Sequence, residues 1–258
     1  MASTASLEGV KKAIFFPFKG KGWGLKMFIG SALMFANYII PIVPAIPLLG
    51  YFGRIMKRVI NENEDPEMPE WNDWGGLFSQ GAKMLGVAVI ALLPGLLIMI
   101  AGDVLFFFVN SAFMFSENSI PGNSSPFLGV GPFLGSMIGM FAGMFCMMLG
   151  LLVMIILITL MFPALGHMIS KGEFGAAFRI REWWPIFKAN IGGFFLTLSI
   201  SYGVYFLLFI PIYLLYISIV LCWLMPFAMV ALTFLQGTIT FTLSAVAYRD
   251  AKMKLAAS

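Results

Sequence analysis

The most restrictive feature of the sequence is a run of 58 residues, 191–248, that contains no Asp, Glu, Lys, Arg or His. An α-helix rises about 1.5 Å per residue, so about 20 apolar residues cross the hydrocarbon core of a bilayer. The run is long enough for two crossings, and its backbone must be helical because lipid offers no hydrogen-bond partner. We place the turn of this hairpin near residues 209–213, where Pro211 interrupts the helix.

Three further stretches, residues 27–53, 84–110 and 132–167, are long and almost free of charge. Charged residues make up 11% of the chain, whereas a soluble domain carries about a quarter. The apolar runs do not alternate with polar residues, as the strands of a membrane β-barrel would. The sequence therefore predicts an all-α, polytopic transmembrane helical bundle.

The basic residues indicate how the bundle is oriented. None of the sixteen Lys and Arg lies in residues 111–131, whose only charged residue is Glu117. Basic loops stay in the cytoplasm, so the segments that carry them must be joined by even numbers of crossings. We therefore expect a multi-pass protein with both termini cytoplasmic and with residues 84–167 and 191–248 forming helical hairpins.

Residues 27–53 allow two interpretations. The stretch is long enough for one tilted span, which would place the five N-terminal lysines outside. Pro41, Pro44 and Pro47 break its middle, which favours a shallow hairpin that enters and leaves on the cytoplasmic side.

These assignments divide a single membrane domain into seven segments. They are a basic N-terminus (1–26), a membrane hairpin or span (27–53), a cytoplasmic loop with a Trp-rich interfacial helix (54–83), a helical hairpin (84–167), a second cytoplasmic loop (168–190), a second hairpin (191–248) and a tail (249–258). Within the first segment, Leu7, Val10 and Ile14 share one helical face, which is typical of an interfacial amphipathic helix. A disordered basic tail is the alternative.

Along the loop 54–83, basic residues come first, acidic residues follow in the middle and aromatic residues come near the end. Trp71, Trp74 and Phe78 are spaced by three and four residues, which predicts one helical face at the headgroup level. This helix is interpreted as an in-plane anchor or as a docking surface for a partner protein. Glu70 and, in the second loop, Trp183 belong to the same set of interfacial or docking candidates.

The chain also repeats itself weakly. Pro47-Leu48-Leu49-Gly50 and Pro163-Ala164-Leu165-Gly166 each close an apolar run. Each is followed by a Glu-Trp pair, Glu70-Trp71 or Glu182-Trp183, and then by a new apolar run. Both copies lie on the predicted cytoplasmic side, so the pattern indicates a parallel internal repeat, which occurs in some transporters.

Two segments carry a resemblance to a known family. GYFGRIMKRVI from Gly50 and PEWNDWGGLF from Pro69 resemble the signature of a prokaryotic integral-membrane family of unknown function, DUF4013. The resemblance covers residues 23–94 well and the remainder loosely. It implies a multi-helix domain in the prokaryotic cytoplasmic (inner) membrane, and it supplies no catalytic or binding residues.

Four glycines form the strongest motif. Gly131, Gly135, Gly139 and Gly143 recur every fourth residue and make a stripe along one helix. In lipid, such a stripe lets two helix backbones approach closely. The partner helix belongs either to the same chain or to another subunit.

Asp103 is the one ionisable residue between Lys83 and Glu117. Carboxylates inside a membrane are costly and often functional, so it is a possible ion site, although a position near the headgroups is the alternative. We identify no catalytic residue, no metal ligands and no cofactor-binding motif. The net charge is only +4, which suits anionic lipid better than nucleic acid.

Three functional classes remain. The lack of catalytic groups and the glycine stripe favour a non-catalytic scaffold or accessory subunit, with lipid and other membrane subunits or a second copy as partners. The repeat, the prolines and Asp103 favour a small transporter or channel for an ion or small solute. A membrane enzyme would need polar side chains that converge from distant helices. A polar, water-filled midplane cavity would indicate transport, whereas an apolar groove would indicate a scaffold.

The predicted topology can be tested with single cysteines at Ser3, Ser119 and Ser258, in a variant that lacks Cys146 and Cys222. In intact cells an impermeant thiol reagent should label Ser119→Cys alone, because the basic segments that carry Ser3 and Ser258 stay in the cytoplasm. External labelling of Ser3→Cys would contradict the hairpin interpretation of residues 27–53.

Overall fold

A computed structural model describes residues 7–118, 130–217 and 221–257. The described residues are mostly helical and contain no strand, which confirms the predicted all-α class. The helices are α1 (Leu7–Phe15), α2 (Trp23–Ala36), α3 (Ala45–Ile60), α4 (Trp74–Asn118), α5 (Val130–Lys171), α6 (Ile180–Ala189), α7 (Ile191–Ile217) and α8 (Met225–Ala257). They belong to two compact units: unit 1 comprises Met1–Ala88 and Thr159–Ser258, and unit 2 comprises Val89–Ile158.

Within residues 7–118, 130–217 and 221–257, four helical stretches are long and apolar enough to cross a membrane. They are Trp74–Ala112, Phe133–Lys171, Ile191–Leu214 and Cys222–Ala257. At most 39% of the most apolar window of each stretch is buried within the protein, so lipid must cover the remainder. The chain is therefore a multi-pass membrane protein, as its charge-free runs predict.

Helix α8 forms the centre of unit 1. It packs against α1, α2, α3, α6 and α7. Its Phe234 is fully buried, and the ring lies 5.8 Å from those of Tyr51 and Phe52 and 6.4 Å from that of Trp71. Thr238 and Thr242 are also fully buried. Their hydroxyls donate to backbone carbonyls of the same helix, so these two polar side chains enter the core with their donors satisfied.

Residues 27–53 form parts of two helices rather than one. Helix α2 has 14 residues, about 21 Å, which is shorter than the hydrocarbon core of about 30 Å. The turn between α2 and α3 exposes large apolar side chains, among them Tyr38, Ile40 and Ile42. The stretch is therefore not one continuous helix, and a shallow hairpin that enters and leaves on the cytoplasmic side stays a prediction.

The prediction of a separate Trp-rich helix within residues 54–83 is wrong. Helix α3 continues to Ile60, and α4 begins at Trp74 and runs without a break past Met84. The Asp73 carboxylate accepts a hydrogen bond of 2.9 Å from the Gly76 amide and so caps α4. No proline follows until Pro94, so nothing ends a short helix before the membrane span begins.

The turn of the last hairpin is also misplaced in the prediction. Pro211 lies inside α7, which continues to Ile217, and α8 starts at Met225. A proline removes one backbone hydrogen bond, but leaving the helix in lipid would expose several unsatisfied groups. The helix therefore continues through Pro211, and residues 218–220 of the connection lie outside the described residues.

Helices α3 and α4 cross with their backbones in contact. A Cβ atom added to Gly81 would overlap the carbonyl oxygen of Ile46, and one added to Gly50 would overlap that of Leu77. A backbone carbonyl has little room to move away, so both positions require glycine. This crossing fixes the start of α4 against α3.

We expect Gly81→Ala to lower the free energy of unfolding by about 2 kcal/mol, because the new methyl group overpacks this crossing. Gly75→Ala is the matched control, since its Cβ would meet nothing closer than the Asp73 carboxylate at 3.8 Å. The control should be neutral or slightly stabilising, because alanine favours helix. Thermal unfolding in detergent measures both, and equal melting temperatures for the two variants would contradict the contact.

Candidate functional site

The first polar centre of unit 1 surrounds Lys26. This lysine is 8% exposed, and its ammonium group lies 2.6 Å from the Glu70 carboxylate and donates at 2.8 Å to the Met68 carbonyl. A buried charge is tolerated only when it is paired and hydrogen-bonded. The segment 61–73, which supplies Glu70 and Met68, is therefore held against α2 by its contacts with the Lys26 ammonium group.

Aromatic packing completes this centre. The indole of Trp71 stacks on Tyr51 with ring centroids 4.1 Å apart and donates at 3.2 Å to the Lys26 carbonyl. The Tyr51 hydroxyl donates at 3.2 Å to the Pro69 carbonyl. Stacked rings with satisfied polar ends make this a rigid connection between α2, α3 and the segment 61–73.

The second polar centre surrounds His167, which is 4% exposed. Its Nε2 lies 3.1 Å from the Glu182 carboxylate, and its Nδ1 lies 2.9 Å from the Tyr248 hydroxyl. A carboxylate only accepts hydrogen bonds, so Nε2 carries a hydrogen and donates to Glu182, while Nδ1 forms the hydrogen bond with the Tyr248 hydroxyl. The histidine thus joins α5, α6 and α8.

The hydrogen bond from His167, helped by the nearby Arg179, lowers the pKa of the Glu182 carboxyl. A carboxyl whose pKa is lowered by folding stabilises the fold above its unfolded-state pKa and loses that effect as the pH falls through the folded-state value. Acidification therefore weakens the link between α6 and α5.

The two Glu-Trp pairs have matching structural roles. Glu70 contacts the buried Lys26, and Glu182 contacts the buried His167. Each following tryptophan is buried, and its indole donates to a backbone carbonyl, that of Lys26 for Trp71 and that of Ala177 for Trp183. This correspondence supports the internal repeat.

Two of the predicted interfacial residues, Trp71 and Trp183, are buried and do not lie at the surface. Trp71 precedes α4 and lies in the core, because Tyr51 and Phe234 cover it, and Trp183 is buried as well. Trp74 and Phe78 are 41% and 40% exposed on α4. For these two residues and for Glu70, which is largely exposed beside Lys26, an interfacial role stays a prediction.

The acidic segment between α3 and α4 binds basic groups of the same chain. Glu64 and Glu67 each lie 2.9 Å from the Arg58 guanidinium, and Asp65 lies 2.6 Å from Lys12 on α1. The hydrogen bond from Lys12 lowers the pKa of Asp65. These contacts favour a segment that folds over the basic end of α3 rather than one that projects towards a partner.

One family model matches the sequence of this chain. The model described as "Protein of unknown function (DUF4013)" matches residues 33–217. The chain belongs to the DUF4013 family. The match includes both Glu-Trp segments but not α8, and it confirms the resemblance found in the sequence. No curated protein and no solved structure matches this chain.

In this DUF4013 protein the glycine stripe of α5 faces α4 of the same chain. Within unit 2, a Cβ added to Gly139 would overlap the Val109 side chain, and one added to Gly143 would lie 2.9 Å from Cβ of Phe106. Gly135 has nothing within 4 Å, and the surroundings of Gly131 lie outside the described residues. The described stripe is thus partly a contact within the monomer.

The facing glycines of α4 were not singled out from the sequence. A Cβ at Gly102 would lie 3.0 Å from the Gly143 carbonyl oxygen, and one at Gly95 would lie 3.2 Å from the Met154 amide nitrogen. Gly150 approaches Met99 in the same way. Gly95 and Gly102 are seven residues apart, which places them on one face of a helix. This spacing is the sequence pattern that could have identified them.

Asp103 follows Gly102 on α4, and its side chain is exposed. Among the described residues, no group of three His, Cys, Asp or Glu side chains comes together that could hold a metal ion. In the part of the chain that the structure describes, Asp103 therefore belongs to no such group of ion ligands, and its role as an ion site stays a prediction.

Replacing Gly139 with leucine should separate α4 and α5, because four heavy atoms enter a close-packed contact with Val109. We expect a lower melting temperature in detergent or lost expression. Gly135→Leu adds the same atoms to open space and should behave like the wild type. Equal stability of both variants would place Gly139 against lipid.

Proposed function

We propose that this protein is a non-catalytic scaffold or accessory subunit of a larger membrane complex. The observation that carries the proposal is an apolar groove between α2 and α8 in unit 1. Its volume is about 470 Å³. The lining residues are Gly24, Met27, Phe28, Ser31, Ala32, Phe35, Phe227, Val230 and Ala231.

The shape of the groove fits a helix of a partner subunit. Small residues, Gly24, Ser31 and Ala32, lie seven and eight positions apart on α2, where they leave room for a second backbone. Phe35 and Phe227 stack with ring centroids 5.3 Å apart and form one wall. Such rows of small residues beside aromatic walls are typical of helix–helix contacts in membranes.

The polar side chain among the lining residues, that of Ser31, has an internal partner. Its hydroxyl donates at 2.8 Å to the Met27 carbonyl. An apolar helix can therefore enter without burying an unsatisfied donor. A solute pathway would instead need polar groups that point into the space.

We place the complex in the cytoplasmic membrane of a prokaryote, with both termini in the cytoplasm. The distribution of basic residues supports this orientation, and the family resemblance supports the prokaryotic source. A small transporter or channel is the alternative, and the exposed carboxylate of Asp103 is the feature that favours it.

The groove can be closed by Ala32→Phe, which places a ring between α2 and α8. We expect this variant to fold but to lose partner subunits that copurify with the wild type from native membranes in mild detergent. Gly203→Leu is the matched control, because Gly203 is exposed on α7 and has nothing within 4 Å.

The control should retain every partner. Identical copurification of wild type and Ala32→Phe would contradict the groove as the docking site. Ion or solute flux in proteoliposomes of the purified chain, abolished by Asp103→Asn, would contradict the scaffold and support the transporter.

A further inference from the structure

A second cleft in unit 1 carries an excess of positive charge. It has a volume of about 260 Å³ and lies between the end of α3, the first turns of α4 and the end of α5. Its lining residues are Lys57, Asn61, Gly76, Ser79, Gln80, Lys83, Met168, Ile169 and Gly172. Two ammonium groups, a hydroxyl and two amides surround it, and none of its lining residues is a carboxylate.

Neighbouring basic residues on α3 are neutralised, whereas the two lysines of this cleft are not. Arg54 pairs with Asp73, and Arg58 pairs with Glu64 and Glu67. In the part of the chain that the structure describes, Lys57 and Lys83 form no ion pair.

A cleft of similar character beside α1 shows the contrast. It is lined by Lys12, Lys19 and Arg58 but also by three carboxylates, those of Glu64, Asp65 and Glu67. Its charges compensate one another within the chain. The cleft at Lys57 and Lys83 has no such internal compensation, so an external anion is the group that would balance it.

The carbonyls at the end of α5 do not oppose an anion strongly, because they are already hydrogen-bonded. The Asn61 amide donates at 3.2 Å to the Ile169 carbonyl, and the Gly172 amide donates at 2.8 Å to the Met168 carbonyl. The N-terminus of α4 is already capped by the Asp73 carboxylate, which in turn pairs with Arg54. The ammonium groups of Lys57 and Lys83 are therefore the charges that an anion in the cleft would meet.

The position of the cleft indicates the source of the anion. Lys83 directly precedes the charge-free part of α4, so the cleft lies where a membrane span meets the headgroup layer. Met168 and Ile169 provide an apolar wall on the same cleft. A phosphate group beside an apolar chain fits both features.

We propose that this cleft binds a phosphate-bearing anion through Lys57 and Lys83, and that the membrane supplies it as the headgroup of an anionic phospholipid. The site is separate from the groove between α2 and α8, so it does not depend on the proposed scaffold function.

The test is a titration of the purified full chain in detergent with short-chain phosphatidylglycerol, short-chain phosphatidylcholine or inorganic phosphate, with binding measured by thermal shift. The wild type should be stabilised by phosphatidylglycerol more than by phosphatidylcholine. The double variant Lys57→Gln/Lys83→Gln should bind phosphatidylglycerol about tenfold or more weakly, because two cations near the headgroup are lost.

Two controls separate a site from general surface charge. Lys11→Gln/Lys21→Gln removes the same charge from exposed positions outside the cleft and should bind like the wild type. Lys57→Arg/Lys83→Arg keeps the charge and should retain binding, and the melting temperatures of all variants without ligand check that they fold.

The outcomes are distinct. Equal losses in the two Gln double variants, or none in Lys57→Gln/Lys83→Gln, would overturn the site. Stabilisation by inorganic phosphate that depends on Lys57 and Lys83, without a preference among the lipids, would support the phosphate site and overturn the lipid as its source.

Discussion

The interaction on which unit 1 depends is the packing of one ring, that of Phe234. This fully buried side chain of α8 contacts the aromatic residues of α3 and of the segment before α4. It also lies directly over Gly30 of α2, where a Cβ would overlap the ring. One side chain therefore joins four parts of the chain. Because lipid gives apolar groups no hydrophobic reason to associate, such close shape matching, rather than exclusion from water, must hold these helices together.

The buried polar groups are also paired with residues close to them in the fold. Lys26 and His167 are both buried, and each contacts the glutamate of one Glu-Trp pair, which is partly open to solvent. This arrangement lowers the penalty for burying a polar group, since one partner of each pair keeps its hydration. The basic residues at the ends of the spans thus fall into two groups. Some fasten the connecting segments to the helices, and Lys57 and Lys83 remain open to the surroundings of the protein.

The fold class could be predicted because charge-free runs of this length leave only helices in lipid. The glycines at 139 and 143 were visible because their spacing of four matches a helix face. Other features depend on contacts that no local pattern carries. Trp71 resembles an interfacial residue, yet it is buried by Phe234, which lies far along the chain. Pro211 resembles a helix end, but the penalty for leaving a helix in lipid exceeds the loss of one hydrogen bond. The clefts are formed by several helices, so their lining could not be read from any one segment.

The central place of α8 has a consequence for how the chain is made. Helices α1 to α3 leave the ribosome long before Phe234, which is more than 170 residues beyond Ile60. At about 5–20 residues per second, the interval is roughly 10 to 35 s. During that time the surfaces that Phe234 covers, at Gly30 of α2 and at Tyr51 and Phe52 of α3, have no partner from α8 and stay open to lipid or to insertion factors. The core of unit 1 is therefore completed only when α8 arrives.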